Sequence, residues 1–389
     1  MGFQANFLAE GQTVVSQVKT LLVFGTRPEA IKMAPVVRAC QQNARLEPIV
    51  CVTGQHREML QQVTDYFGIK PDIDLQLMQP NQTLAALTAR CLEKLDEVLV
   101  AHEPDCLVAQ GDTTTVLAAS LAAFYRRVGF VHVEAGLRTG KMWSPWPEEL
   151  NRRVASLTAT VHCAPTQQAA ENLLREGIPA DSVHVTGNTV IDALLVSASQ
   201  ERAKSAEWAA KYRQLGERRM VLITGHRREN FGAGFRNICA AIGRLASAFP
   251  EVEFIYPVHL NPQVQKPVHD LLGELANVHL AAPANYPEFV WLMDRSTIIL
   301  TDSGGVQEEA PSLKKPVLVM RDTTERPEAV AAGAVELVGT DVGRIVQRAT
   351  ALLTDPAEYA RHQIDHNPYG DGQAASRIVD LITRQVWTL

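Results

Sequence analysis

No run of apolar residues in this sequence approaches the roughly 18 needed for a helix to cross a bilayer, which argues against a membrane protein. No two of the six cysteines (Cys40, Cys51, Cys91, Cys106, Cys163 and Cys239) stand at C-x-x-C spacing. They read as small buried hydrophobes rather than zinc ligands or disulfides. No basic residue precedes Lys19, so residues 1–18 lack the charged start of a secretory signal and read as an extension to the first strand. The expected compartment is the reducing cytoplasm. Positive charge is in deficit, with 37 Lys and Arg against 43 Asp and Glu. A net charge of −6 with both signs scattered excludes the basic stripe of a general nucleic-acid binder, though not a local site for a small anion. There is no G-x-G-x-x-G after any strand-like run, no Walker loop, no H-E-x-x-H and no G-x-S-x-G elbow. The usual nicotinamide fold, P-loop, zinc-peptidase and hydrolase readings fall away, and neither metal nor nicotinamide is expected.

What is present is a strict alternation. Strand-length β-branched runs occur at 20–24, 48–53, 105–109, 130–134, 160–163 and 183–186, and again at 220–224, 252–257, 278–281, 297–301, 316–320 and 335–338. Helix-like segments such as 83–100, 114–126, 234–248 and 341–353 lie between them. The pattern predicts an α/β protein of parallel sheets covered by helices on both faces. With 389 residues, two domains are expected. The polar stretch 190–218 reads as a helix that starts the second half, with the boundary near 187–190.

Polar and glycine clusters follow the strands directly. Gly25-Thr26-Arg27, Gly54-Gln55-His56, Gly111-Asp112 and Glu134 do so in the first half; Gly225-His226-Arg227, His259 and Asp302-Ser303-Gly304-Gly305 in the second. Ligands of open α/β sheets bind outside the carboxyl ends of strands, so two half-sites facing each other predict a cleft between domains. Thr26 and Glu29 have capping-box spacing and Pro28 suits a helix start, but Arg27 and Lys32 are disfavoured there unless an anion is bound. Ser303, Gly304 and Gly305 can bring backbone N–H groups close to a phosphate, and Glu309, about one turn on, can accept ribose hydroxyls. Arg321, Arg326 and Glu328 lie nearby in sequence. Asp112 suits either a helix N-cap or catalysis. Glu134 ends an apolar strand where an unpaired carboxylate is costly, and Arg138 is one candidate partner. Glu148 and Glu149 follow Pro147 as a helix start does. His226, in a glycine turn before two arginines, suits a phosphate contact or a general acid.

Taken together these stretches resemble the bacterial non-hydrolysing UDP-N-acetylglucosamine 2-epimerases. The likeness runs through 24–35, 55–60, 111–115, 132–139, 144–151, 186–194, 224–229, 256–262, 300–311 and 315–329 to the segment 367–372. It implies two Rossmann-like domains in a glycosyltransferase-B-like arrangement with the site in the interdomain cleft. Residues 1–187 would form the first domain and 188–369 the UDP-binding second, with helix 370–389 packing back on the first. The implied reaction is reversible inversion at C2 to UDP-N-acetylmannosamine through elimination of UDP to a 2-acetamidoglucal and re-addition, the product serving surface polysaccharide synthesis. The resemblance places Arg27, Lys32 and His226 around the pyrophosphate and catalysis. It gives Asp112, Glu134 and Glu148 the proton transfers, Phe289 the uracil, Ser303, Gly304 and Gly305 the phosphates, and Glu309 the ribose, with Arg326 in the same UDP site. It implies no cofactor and a homodimer. Gln55, Gln82, Glu149, Arg227 and His259 match a second, regulatory UDP-N-acetylglucosamine site, from which Asn81 and Glu58 depart. Ala284 stands where the family often has Gln. Four rivals share much of the pattern: a 2-epimerase for another UDP sugar such as a diacetamido uronic acid, a hydrolysing epimerase that accumulates UDP, a glycosyltransferase on the same scaffold, and a nucleotide-sugar sensor.

Overall fold

The computed structural model describes residues 17–54, 57–79 and 81–387. Its strands are β1 (Val18–Phe24), β2 (Leu46–Val52), β3 (Ile73–Asp74), β4 (Cys106–Gln110), β5 (Gly129–Val133), β6 (Val161–Ala164), β7 (Val183–Val185), β8 (Met220–Thr224), β9 (Glu253–Pro257), β10 (Val278–Ala281), β11 (Ile298–Thr301), β12 (Val317–Val319) and β13 (Val335–Leu337). Its helices are α1 (Arg27–Gln42), α2 (Arg57–Phe67), α3 (Leu84–His102), α4 (Thr114–Arg126), α5 (Glu148–Thr158), α6 (Gln167–Arg175), α7 (Thr189–Ala203), α8 (Ser205–Lys211), α9 (Ala233–Ala248), α10 (Pro262–Leu272), α11 (Tyr286–Arg295), α12 (Gly304–Glu309), α13 (Pro327–Ala331), α14 (Val342–Thr354), α15 (Pro356–Arg361) and α16 (Ala374–Arg384). All twelve strands expected from the sequence form. The short β3 was not expected, because two residues are too few to show a period.

The first sheet has the order β3-β2-β1-β4-β5-β6-β7 and the second β10-β9-β8-β11-β12-β13. The pairings in both are parallel. Central strands are buried on both faces: Leu21 to Phe24 of β1 and Met220 to Ile223 of β8 are fully covered. This is why they read as continuous apolar runs rather than alternating ones. In each sheet the order reverses at the first strand, between β1 and β4 and between β8 and β11. Chain leaving adjacent strands there turns to opposite faces and opens a crevice at their carboxyl ends. The loops after β1, β4, β8 and β11 carry Gly25-Thr26-Arg27, Gly111-Asp112, Gly225-His226 and Asp302-Ser303.

Residues 190–218 do not form the single helix expected. Helix α7 ends at Ala203, α8 follows, and a 3-10 turn at Arg213–Leu215 leads into β8. Rather than belonging to one half, α7 packs against α1 of the first and α11 of the second. The closing helix α16 packs on α1 and α7, where the Asp192 carboxylate accepts from the N–H groups of Ala374 and Ala375. Among the described residues no helix is long and apolar enough to cross a membrane.

Candidate active site

The β1–α1 turn is shaped by its sequence. Glu29 Oε2 accepts from the N–H groups of Thr26 (2.7 Å) and Gly25 (3.1 Å), and Thr26 Oγ1 accepts from Glu29, the reciprocal capping box expected. Thr113 in the β4–α4 turn donates to Glu29 Oε1 at 2.6 Å and locks the two turns together. Gly25 cannot carry a side chain, since a Cβ would stand 2.0 Å from Thr53 Oγ1.

Lys32, one turn into α1, projects to the end of β5. Its Nζ meets Glu134 Oε1 at 2.5 Å. The basic residue that a helix start disfavours is therefore balanced by a carboxylate, not by an anion alone. Arg138, the partner the sequence offered for Glu134, pairs instead with Glu176 at 2.7 Å. Glu134 is buried, sits at φ +62° and also accepts from Asn188 (2.9 Å) and from the Gln110 amide. A bulky residue in the left-handed region is strained, and such strain is concentrated at functional sites. Burial would push its carboxyl up, but Lys32, Arg326 and the Asn188 amide outweigh burial and hold it below its ordinary value. Lys32 is pulled down by burial and held up by Glu134 and Glu308, which prevail.

Asp112 is not the N-cap of α4. Thr113 fills that place, which frees the Asp112 carboxylate to pair with Arg152 of α5. Asn151 donates to the Asp112 carbonyl at 2.8 Å. Burial raises the Asp112 carboxyl, Arg152 pulls it down and Glu134 adds to the rise, which wins. His132 of β5 lies beneath, fully buried, with Nε2 2.7 Å from the Gly111 carbonyl oxygen. Burial lowers its imidazole to about 3, so it is a neutral donor there. Glu148 begins α5, and its buried Oε2 has no hydrogen-bond partner among the described residues.

In the second half, Asp302 is fully buried and its Oδ2 accepts from the N–H groups of His226 (2.9 Å) and Arg227 (2.8 Å). The His226 ring stacks on His259 at 5.1 Å and its Nδ1 stands 3.7 Å from Asp302 Oδ1. Burial lowers the His226 imidazole, with Asp302 opposing and His259 and Arg227 adding to it, which favours the neutral ring. After β11, Ser303, Gly304 and Gly305 open α12 under the Arg326 guanidinium, and a Cβ on Gly304 would stand 3.0 Å from Arg326 Cζ. Arg326 Nε donates to Glu308 Oε1 at 2.8 Å. Glu309 Oε2 is buried without a hydrogen-bond partner among the described residues, and burial together with Glu308 pushes its carboxyl up to about 8 against the pull of Lys32 and Arg27. Arg27, from the other half, makes no hydrogen bond or ion pair among the described residues. Phe289, half-buried on α11, packs at the edge of the core, as does Ala284.

Asp112 and His226 thus stand on switch-point loops, Lys32 and Glu309 on the helices α1 and α12 that follow β1 and β11, Glu134 directly after β5, Arg326 just before α13 and Phe289 on α11. Sequence reasoning missed Gln110, Asn188 and Glu308. Glu308 was visible as the neighbour of Glu309, whereas the other two look like ordinary polar residues at element ends. The second-site set is scattered differently. Gln55 lies outside the described residues. Gln82 is engaged locally, its Oε1 accepting from Arg90 and from the N–H of Gln79. Glu149 is fully buried and braces Thr139, Arg152 and Arg153. His259 and Arg227 join the His226 turn. Arg321, nearby in sequence, pairs with Glu229 and Glu325.

A model of the UDP-N-acetylglucosamine 2-epimerase family matches residues 38–383. The chain is 54% identical over 369 residues to the UDP-N-acetylglucosamine 2-epimerase of Escherichia coli K12, covering 94% of this chain and 98% of that one. It is 56% identical over 369 residues to a probable UDP-N-acetylglucosamine 2-epimerase of Ralstonia solanacearum, with the same coverage. Among solved structures, the UDP-GlcNAc 2-epimerase of Neisseria meningitidis bound to UDP-GlcNAc matches with a TM-score of 0.87 and 51% identity, covering 94% of this chain and 100% of that chain.

Proposed function

The chain belongs to the UDP-N-acetylglucosamine 2-epimerase family, and we propose that it interconverts UDP-N-acetylglucosamine and UDP-N-acetylmannosamine in the cleft between its two sheets. One observation carries this reading. Two buried acids are shifted in opposite directions, Glu134 lowered beside Lys32 and Arg326 and Asp112 raised against the pull of Arg152. Environments that push paired acids apart assign base and acid. Glu134, ionised beside Lys32, is in the state a base needs. Asp112 is suited to hold and return a proton, and Glu148, at the start of the helix whose Arg152 pairs with Asp112, adds a third carboxylate.

The proposed steps balance within the site. A carboxylate takes the proton at C2, the C1–O bond to UDP breaks with its electron pair leaving on the diphosphate, and a C1=C2 double bond forms. Arg27, Arg326 and the N–H groups of Ser303 to Gly305 hold the departing anion, and neutral His226 can exchange a proton with it. Re-addition of UDP at C1 with a proton delivered to the opposite face of C2 gives the epimer. Glu309 is assigned the ribose hydroxyls and Phe289 the uracil. The division between the domains is placed at residues 187–188. A reducing, cytoplasmic setting fits the six free buried cysteines. A homodimer is supported by the large apolar side chains Val100, Phe124, Tyr125 and Leu157, left exposed on α3, α4 and α5. Replacing Phe124 and Tyr125 by Asp should then yield monomer in sedimentation.

The test is proton NMR of the purified protein with UDP-N-acetylglucosamine in heavy water. Growth of UDP-N-acetylmannosamine deuterated at C2, with no free sugar, is expected. Release of UDP and free N-acetylmannosamine would replace this reading with hydrolysis, and an unchanged substrate would refute it.

A further inference from the structure

We propose that Asn188 is the positioning residue that ties the relative placement of the two halves to the catalytic carboxylate Glu134; this rests on the function proposed above. Both crossings of the chain between the halves meet at this residue. Asn188 follows β7 on the way to the second half, and its N–H donates at 2.7 Å to the carbonyl of Tyr369, on the return segment that leads into α16. The two segments are in backbone contact: a Cβ on Gly187 would stand 3.4 Å from Gly370 Cα, and one on Gly370 would stand 3.4 Å from Asn188 N.

The side chain is 2% exposed and uses each of its groups. Oδ1 caps α7 by accepting from Val190 at 3.1 Å. Nδ2 donates to Glu134 Oε1 of the first half at 2.9 Å and to Glu308 Oε2 of the second at 3.3 Å. One amide therefore spans a carboxylate from each sheet, and Glu308 in turn holds Arg326, which covers Gly304. Any rotation of the halves about this crossing stretches one of the two bonds. Strain at Glu134, whose φ of +62° needs support, is opposed by this amide together with Lys32 and Gln110. A capping residue alone needs only its acceptor. The two donated bonds are surplus to capping, and both end on the charged centre.

Two variants separate the roles. Asn188→Asp keeps the cap acceptor and the size but loses both N–H groups and adds a charge. Asn188→Ser keeps a cap and ends a bond short of both carboxylates. Both should fold, and kcat for epimerisation should fall at least about tenfold in each with KM changed less than about threefold. In Asn188→Asp the acid limb of the pH–rate profile should move to higher pH. Besides residue 188 itself, the charged groups facing Glu134 are Lys32 on α1, Asp112 after β4, Glu308 on α12 and Arg326 before α13. A second readout needs no turnover: the melting-temperature deficit of Asn188→Asp should grow from pH 4 to pH 7 as the carboxylates ionise. Unchanged kcat and acid limb in both variants, or a deficit flat with pH, would overturn the role of Asn188. An inert wild-type enzyme would instead count against the proposed reaction, leaving the pH-dependent deficit to decide this one.

Discussion

UDP binding should expel close to one proton from Glu309 at neutral pH. Its carboxyl is pushed up to about 8 by burial and Glu308, and its Oε2 lacks a partner among the described residues. At pH 7 the free protein would then carry about 0.9 of a proton on this group. Two ribose hydroxyls would donate to the ionised form and draw the carboxyl back towards its ordinary range near 4.5, where almost no proton remains. The sign follows. A group that binds more protons in the free state makes affinity rise with pH, between its lower bound-state value and its higher free-state value. From pH 6 to pH 8 the gain is about 50-fold in association constant, or about 2.3 kcal/mol. Calorimetry of UDP binding in buffers of differing ionisation enthalpy reads the proton directly. The terminal phosphate of UDP also titrates near pH 6, so the comparison is with Glu309→Gln, where only the phosphate contribution should persist. Equal proton release by wild type and Glu309→Gln would refute both the elevated carboxyl and its assignment to the ribose.

Asp112→Asn, Glu134→Gln and His226→Ala should each lower kcat by about 100-fold or more while leaving the melting temperature within a few degrees, as followed by coupled assay and calorimetry. Gly304→Ala should weaken UDP at least about tenfold in titration, because the new methyl displaces the Arg326 guanidinium 3.0 Å away. Gly25→Ala should cost about 1–3 kcal/mol in denaturant unfolding, since its Cβ falls 2.0 Å from Thr53 Oγ1 inside a packed turn. Small-angle scattering should show compaction on saturation with UDP, because the proposed contacts come from both halves; identical curves would contradict that.

The sequence alone determined the strands and the loops that matter. Parallel strands buried on both faces must be written as apolar, β-branched runs, so twelve of the thirteen could be read directly. The loops at their carboxyl ends had to be polar and glycine-rich wherever a ligand approaches, so Lys32, Asp112, Glu134, His226 and the 303–305 turn stood out. The capping box of Thr26 and Glu29 is local chemistry within four residues and was equally plain. What only the tertiary structure decided are the partners. Whether Glu134 pairs with Arg138, four residues on, or with Lys32, 102 residues away, depends on the strand order β1-β4-β5, which brings α1 over the end of β5. The break between α7 and α8, the placement of α7 against both halves, and the two hydrogen bonds that Asn188 donates to Glu134 and Glu308 are likewise tertiary. Periodicity reports which face of an element is buried, but not which distant carboxylate an amide at its end will meet.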